Sequence, residues 1–210
     1  MKILTLFDPS DFEARKPANQ TDFENRYKDV LAVFPAMVDE AFIRLSRDIY
    51  PVVEPASRDR NMMAVLISGF LKGQLVYRFP EYCTHYINNN GSRFRLQKEN
   101  YEWLYIKKLD VNKKPSNIET DNSVKIIKQL SDSEADVQAN VFLGYVANDD
   151  NSQADRVFAV YIVDKKVVWF TDLRHFAEKN KSISEIRPIA PPSQQKLKEG
   201  TVTIKKAENE

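Results

Sequence analysis

Apolar positions change period along this chain, and the change divides it. From Phe23 the apolar residues Tyr27, Val30, Leu31, Phe34, Val38, Ala41, Phe42, Leu45 and Ile49 recur at three- and four-residue spacing. That spacing places them on one face of an α-helix. Thr21 or Asp22 is the expected N-cap. Pro35 lies inside the pattern without breaking its phase, which predicts one kinked helix or two abutting ones. Tyr50-Pro51 ends it. After the connector "VVEPASRDR", the stretch 61–77, "NMMAVLISGFLKGQLVY", is apolar on nearly every face and predicts a buried helix. Gly69 and Gly73 stand four apart in it, which allows another element to approach closely.

Beyond residue 80 the period shortens to two. "EYCTHYINNNGSRFRLQ", 81–97, predicts a hairpin turning at Asn90-Gly91, where both central residues need positive φ. Residues 101–109 and the run "ANVFLGYVA", 139–147, predict further strands. "RVFAVYIV", "DKK" and "VVWFTDL" predict a second hairpin around a short charged turn. "SVKIIKQLS" reads as a short helix with Val124, Ile127 and Leu130 on one side, and Asp172 as the cap of a last helix over 173–180. Residues 2–7 read as a short strand.

Helices first and strands afterwards give an α+β fold: N-terminal helices packed on a mostly antiparallel sheet. The expected organisation is a single domain over 1–180, with its helical part at about 20–78 and its sheet part at about 81–180. Residues 181–210, polar and Pro-bearing, are expected to be a flexible tail. Pro188 and Pro191 in "RPIAPP" have Pro-x-x-Pro spacing, but a plain extended tail explains them equally.

Composition narrows the function classes. The 210 residues are 42% apolar and 11% aromatic, enough for a core. The 31 basic against 30 acidic residues leave a net charge of +1, so any hold on nucleic acid must come from a local patch. One cysteine, Cys83, excludes an internal disulfide and suits a reducing cytoplasm. "MKILTLFDPSDF" does not read as a signal peptide, and no apolar run is long enough to span a membrane. Lys, Asn and Ile usage suggests a bacterial or phage source. With 5 glycines there is no glycine-rich phosphate loop, and no Gly-x-Ser-x-Gly elbow occurs. Cys83 and His85 share a strand face but lack the second ligand pair of a structural zinc site.

The most individual stretch is "NYEWLYIKKLDVNKKPSN", 100–117. Period-two alternation sets Tyr101, Trp103, Tyr105 and Lys107 on one strand face and Glu102, Leu104, Ile106 and Lys108 on the other. An aromatic face flanked by Arg93, Arg95, Lys98, Lys113 and Lys114 resembles a surface for base stacking and phosphate contact. Residues 93–114 hold seven basic side chains against Glu99, Glu102 and Asp110. Equally, the aromatics fit a strand buried against the helices, with the lysines in a solvated turn.

The leading expectation is therefore a non-enzymatic binding module. Its ligand would be nucleic acid, or a partner protein, held through Arg93, Arg95, Trp103, Lys107, Lys108, Lys113 and Lys114, with no cofactor. The enzymatic alternative is a restriction-type, metal-dependent nuclease. That chemistry needs an acid, then an acid and a lysine two residues apart, to hold Mg²⁺ and orient water. Asp150, Asp164 and Lys166 supply the spacing, although "DKK" also suits a turn. Lys107 and Lys108 fail the pattern, because Tyr105 and Ile106 stand where the acid belongs. A third reading is a regulatory or structural subunit. If the sheet leaves the apolar helices partly uncovered, a homodimer would cover the rest.

Overall fold

A computed structural model describes residues 17–52, 60–88, 91–97, 101–116, 124, 126–129 and 139–181. The strand expected at 2–7 and the tail expected after residue 181 lie outside these.

Helix α1, Gln20–Arg26, meets α2, Lys28–Arg44, at Tyr27. The cap is Asn19, whose side chain accepts from the Asp22 N–H at 3.1 Å, so the helix begins two to three residues before the expected start. Asn is as good a cap as the Thr and Asp behind it, and its oxygen reaches the third N–H of the first turn. Pro35 is buried inside α2, and the break lies eight residues earlier, at Tyr27. A five-residue π-turn, Leu45–Ile49, follows directly, closed by Tyr50 N–H donating to Leu45 O at 3.0 Å. Helix α3 is Arg60–Arg78. Met63, Ile67, Leu71 and Leu75, four apart, face inward, while Val65 stands 70% exposed and Tyr77 61%. The helix is thus amphipathic rather than buried all round, its four-residue row entering the core with Met62, Leu66 and Phe70 partly buried beside it.

The sheet is six-stranded in simple order: β1 (Cys83–Asn88), β2 (Gly91–Gln97), β3 (Glu102–Lys108), β4 (Ala139–Ala147), β5 (Ala154–Val163) and β6 (Lys166–Asp172). Helix α4, Leu173–Lys179, closes the described chain, and Asp172 caps it as its position predicts. β1 pairs β2 with Asn88 opposite Gly91, so the link between them is residues 89 and 90. Among the described strands, only β3 and β4 run parallel. A parallel pair needs a long crossover, and residues 109–138 supply it.

Alternation along the strands makes two cores. Leu104, Ile106, Val141, Leu143, Tyr145, Val157, Ala159 and Tyr161 pack with Tyr27, Leu31, Phe34, Val38, Phe42, Ile67 and Leu71 of the helices. Trp103, Tyr105, Leu109, Phe142, Phe158, Val160 and Ile162 form a second core, with Ile126 and Ile127 of the crossover against it. Gln129 fastens that cover. At φ 57° its buried side chain takes the Asn140 N–H at 2.7 Å and donates to Asn140 O at 2.9 Å and Ile162 O at 2.7 Å. The amide thereby fills the end of the β4–β5 ladder, which is paired only from Val141↔Tyr161 onward.

Candidate nucleic-acid interface

Strand β3 carries the residues singled out by sequence, and the sheet decides which remain available. Trp103 is 5% exposed and Tyr105 8%, both inside the second core. Neither presents a face on which a base could stack, and this corrects the expected role of Trp103. The helices do not bury these aromatics. The crossover does, from the opposite side. Tyr101 is half-buried beneath the Arg26 guanidinium, 3.7 Å from its ring centroid.

The lysines part company. Lys108 donates to Asn151 Oδ1 at 2.6 Å, tying β3 to the β4–β5 turn. Lys113, at φ 64° in a turn held by the Asp110 side chain, places its ammonium 4.2 Å from the Phe170 ring centroid. That contact is a cation–π interaction. Lys114 is exposed. Lys107 is half-buried, and its pKa is lowered, first by burial and then by the charge of Lys72 on α3. Among the described residues, no carboxylate pairs with Lys72 or Lys107 in compensation. Sequence reasoning missed Lys72, because nothing local to α3 signals which strand it will meet. Arg93 and Arg95 lie on β2, which pairs β3 through Leu96↔Leu104 and Gln97↔Trp103.

The residues of the nuclease alternative are not brought together. Asp150 lies in the turn before β5, where its carboxylate accepts from the Ser152 N–H at 2.9 Å, and its pKa is lowered first by the Ser152 side chain and then by that N–H. Asp164 follows the other end of that 10-residue strand. At a rise of ~3.3 Å per residue, roughly 30 Å separates the two positions, whereas one Mg²⁺ holds ligands at ~2 Å. Asp164 and Lys165 have φ of 48° and 65°, the two left-handed centres of a two-residue hairpin turn. Turn geometry thus accounts for "DKK". Among the described residues, no three His, Cys, Asp or Glu side chains are grouped to hold a metal.

A cleft of about 640 Å³ opens between α2, the π-turn, the β4–β5 turn and α4, lined by Asp39, Phe42, Ser46, Ser152 and Arg174 among others. Its charges are already matched. Arg174 forks onto Asp39 at 2.7 and 2.9 Å, and Arg47 onto Asp48 at 2.6 and 2.9 Å. No protein-family model, curated protein or solved structure matches the chain.

Proposed function

We propose that the protein is a non-enzymatic binding module for a polyanion, with nucleic acid the favoured ligand, held through its phosphates where α3 meets β3. The observation that carries this reading is the Lys72–Lys107 pair. The half-buried Lys107 of β3 has its pKa lowered by burial and then by the charge of Lys72 on α3, and among the described residues neither lysine has an acid to balance it. Leaving a buried charge unbalanced is costly, and a phosphate placed beside both lysines would remove the repulsion. Helix α3 supports the reading, since its 19 residues include Arg60, Lys72 and Arg78 but no Asp or Glu. Lys114 would extend the basic surface, and Arg93 and Arg95 are proposed with it from their place on β2 alone. Stacking plays no part, so the grip would follow backbone charge rather than base identity.

The test is fluorescence anisotropy on labelled duplex and single-stranded oligonucleotides across a salt series. Binding should weaken steeply with salt. The Lys72→Ala/Lys107→Ala pair should lower affinity about ten-fold or more, and should flatten the salt slope by about one for each phosphate that is no longer neutralised. Trp103→Phe, buried in the second core, should leave affinity unchanged. Absent or salt-independent binding by the wild type would refute the reading.

A further inference from the structure

The cleft between α2 and α4 has the volume of a small-molecule site, about 640 Å³ against the ~300–1,000 Å³ usual for such sites. Its walls converge from separate parts of the chain: α2 with the π-turn behind it, the β4–β5 turn with the start of β5, and α4. Ser46 and Arg47 on its wall belong to the π-turn Leu45–Ile49. Such turns are rare and occur disproportionately at functional sites. The opposite wall is held in shape. Asn148 Oδ1 accepts from the Ser152 and Gln153 N–H groups at 2.9 and 3.2 Å, and Lys108 holds Asn151 of the same turn at 2.6 Å. A wall fixed beforehand loses little freedom when a ligand arrives.

The chemistry of the walls selects a ligand class. Arg174 uses three of its five N–H groups: two on Asp39, and one on Ala154 O at 2.8 Å. Two N–H groups and the other lone pairs of Asp39 are left over, on side chains 37% and 45% exposed. Ser152 Oγ accepts from Asn148 Nδ2 at 3.0 Å, so its own proton is available to donate. Donors and acceptors thus stand side by side without net charge, because Arg47 is matched by Asp48 as Arg174 is by Asp39. An anion or a cation finds no unbalanced partner here. Neighbouring hydroxyl groups do: one donates to the carboxylate while the next accepts from the guanidinium. Ile43, 61% exposed, adds an apolar edge for the C–H face of a ring.

We propose that this cleft binds a neutral, polyhydroxylated ligand of one or two sugar rings. The Asp39–Arg174 pair holds adjacent hydroxyls, the Ser152 hydroxyl donates to a third oxygen, and Ile43 lies against the ring. The site is built from other elements than the Lys72–Lys107 anion site, and its ligand carries no phosphate, so each stands or falls without the other.

Saturation-transfer NMR titrations of the full chain test this, with glucose, galactose, N-acetylglucosamine, maltose and trehalose as probes. At least one should bind saturably at millimolar concentration or below, with an affinity indifferent to salt. Glucuronate and glucosamine, which each add a charge, should bind more weakly than the best neutral sugar. Ser46→Trp, which fills the cleft from an exposed position, should lower the affinity about ten-fold or more, as should Asp39→Leu/Arg174→Leu, which removes both charges together. Circular dichroism checks the folding of each variant, and Ser46→Trp alone still tests the site if the double variant does not fold. Lys72→Ala should leave sugar binding unchanged. Absence of saturable binding by every neutral sugar overturns the proposal. So does binding that survives Ser46→Trp, and so does a charged sugar that binds tighter than every neutral one.

Discussion

Arg26 and Glu102 join α1 to β3 through one nitrogen: Arg26 Nη1 lies 2.6 Å from both carboxylate oxygens of Glu102. The carboxylate is buried at 2% exposure, and the Arg26 side chain is 19% exposed. The Tyr27 hydroxyl adds a bond to Glu102 O at 3.0 Å. Arg26→Met leaves a carboxylate buried without its counter-ion, which costs about 3–5 kcal/mol. Arg26→Met/Glu102→Gln should recover a large part of that loss, because the uncompensated charge is gone. Urea unfolding midpoints of the two variants check this. If the double variant is no better than the single one, the loss was of packing rather than of charge balance.

Gln129 offers a sharper separation of two effects. Its amide satisfies both backbone polar groups of Asn140 and the carbonyl of Ile162, while its own backbone sits at φ 57°. Both Gln129→Ala and Gln129→Gly strand those groups, at about 1–3 kcal/mol for each buried group left unpaired. Only alanine retains the left-handed strain, so Gln129→Gly should be the more stable of the two by about 1 kcal/mol. Equal unfolding energies would mean that the backbone relaxes once the amide is removed. Hydrogen exchange at the Asn140 N–H should accelerate in both variants.

These two residues show where sequence reading reached and where it stopped. The helical period from Phe23, the β5–β6 turn and the Asp172 cap are local signals, and the structure follows them. Alternation along 101–109 correctly separated Trp103 and Tyr105 from Leu104 and Ile106. It gave no sign of what covers each face, because the cover of Trp103 arrives from a crossover more than 20 residues downstream. The parallel β3–β4 pairing was hidden for the same reason: strand direction is set by the connection, not by the strand. The Lys72–Lys107 encounter joins elements 35 positions apart and has no spacing signature.

The glycines separate by what surrounds them. A Cβ at Gly144 would lie 2.6 Å from Lys107 O and 2.5 Å from Leu109 Cγ, and the oxygen belongs to a paired backbone that cannot withdraw. Gly144→Ala should therefore destabilise by about 1–3 kcal/mol, as overpacking does. At Gly69 and Gly73 nothing lies within 4 Å. Gly73→Ala in this exposed helix should instead stabilise by about 0.5–1 kcal/mol. Thermal denaturation of the two variants should show melting temperatures moving in opposite directions. If Gly73→Ala lowers the melting temperature or alters the oligomeric state, the outer face of α3 is in contact after all.

Lys107 should make stability depend on pH with an unusual sign. Burial, and then the charge of Lys72, lower its pKa in the folded chain. Between that folded value and the ordinary lysine value, the unfolded chain binds the proton and the folded chain does not. Stability therefore rises with pH across this alkaline window and is reduced at every pH below it. Lys107→Met removes the penalty, so it should raise the melting temperature at neutral pH. The gain should shrink above the ordinary lysine pKa, where both states of the wild type are neutral. The same substitution should weaken oligonucleotide binding, which sets a stability gain against a functional loss. Inorganic phosphate should narrow the difference in melting temperature at neutral pH by relieving the wild type alone. If Lys107→Met melts with the wild type at all pH values, the ammonium reaches solvent, and the anion site argued from its burial loses its basis.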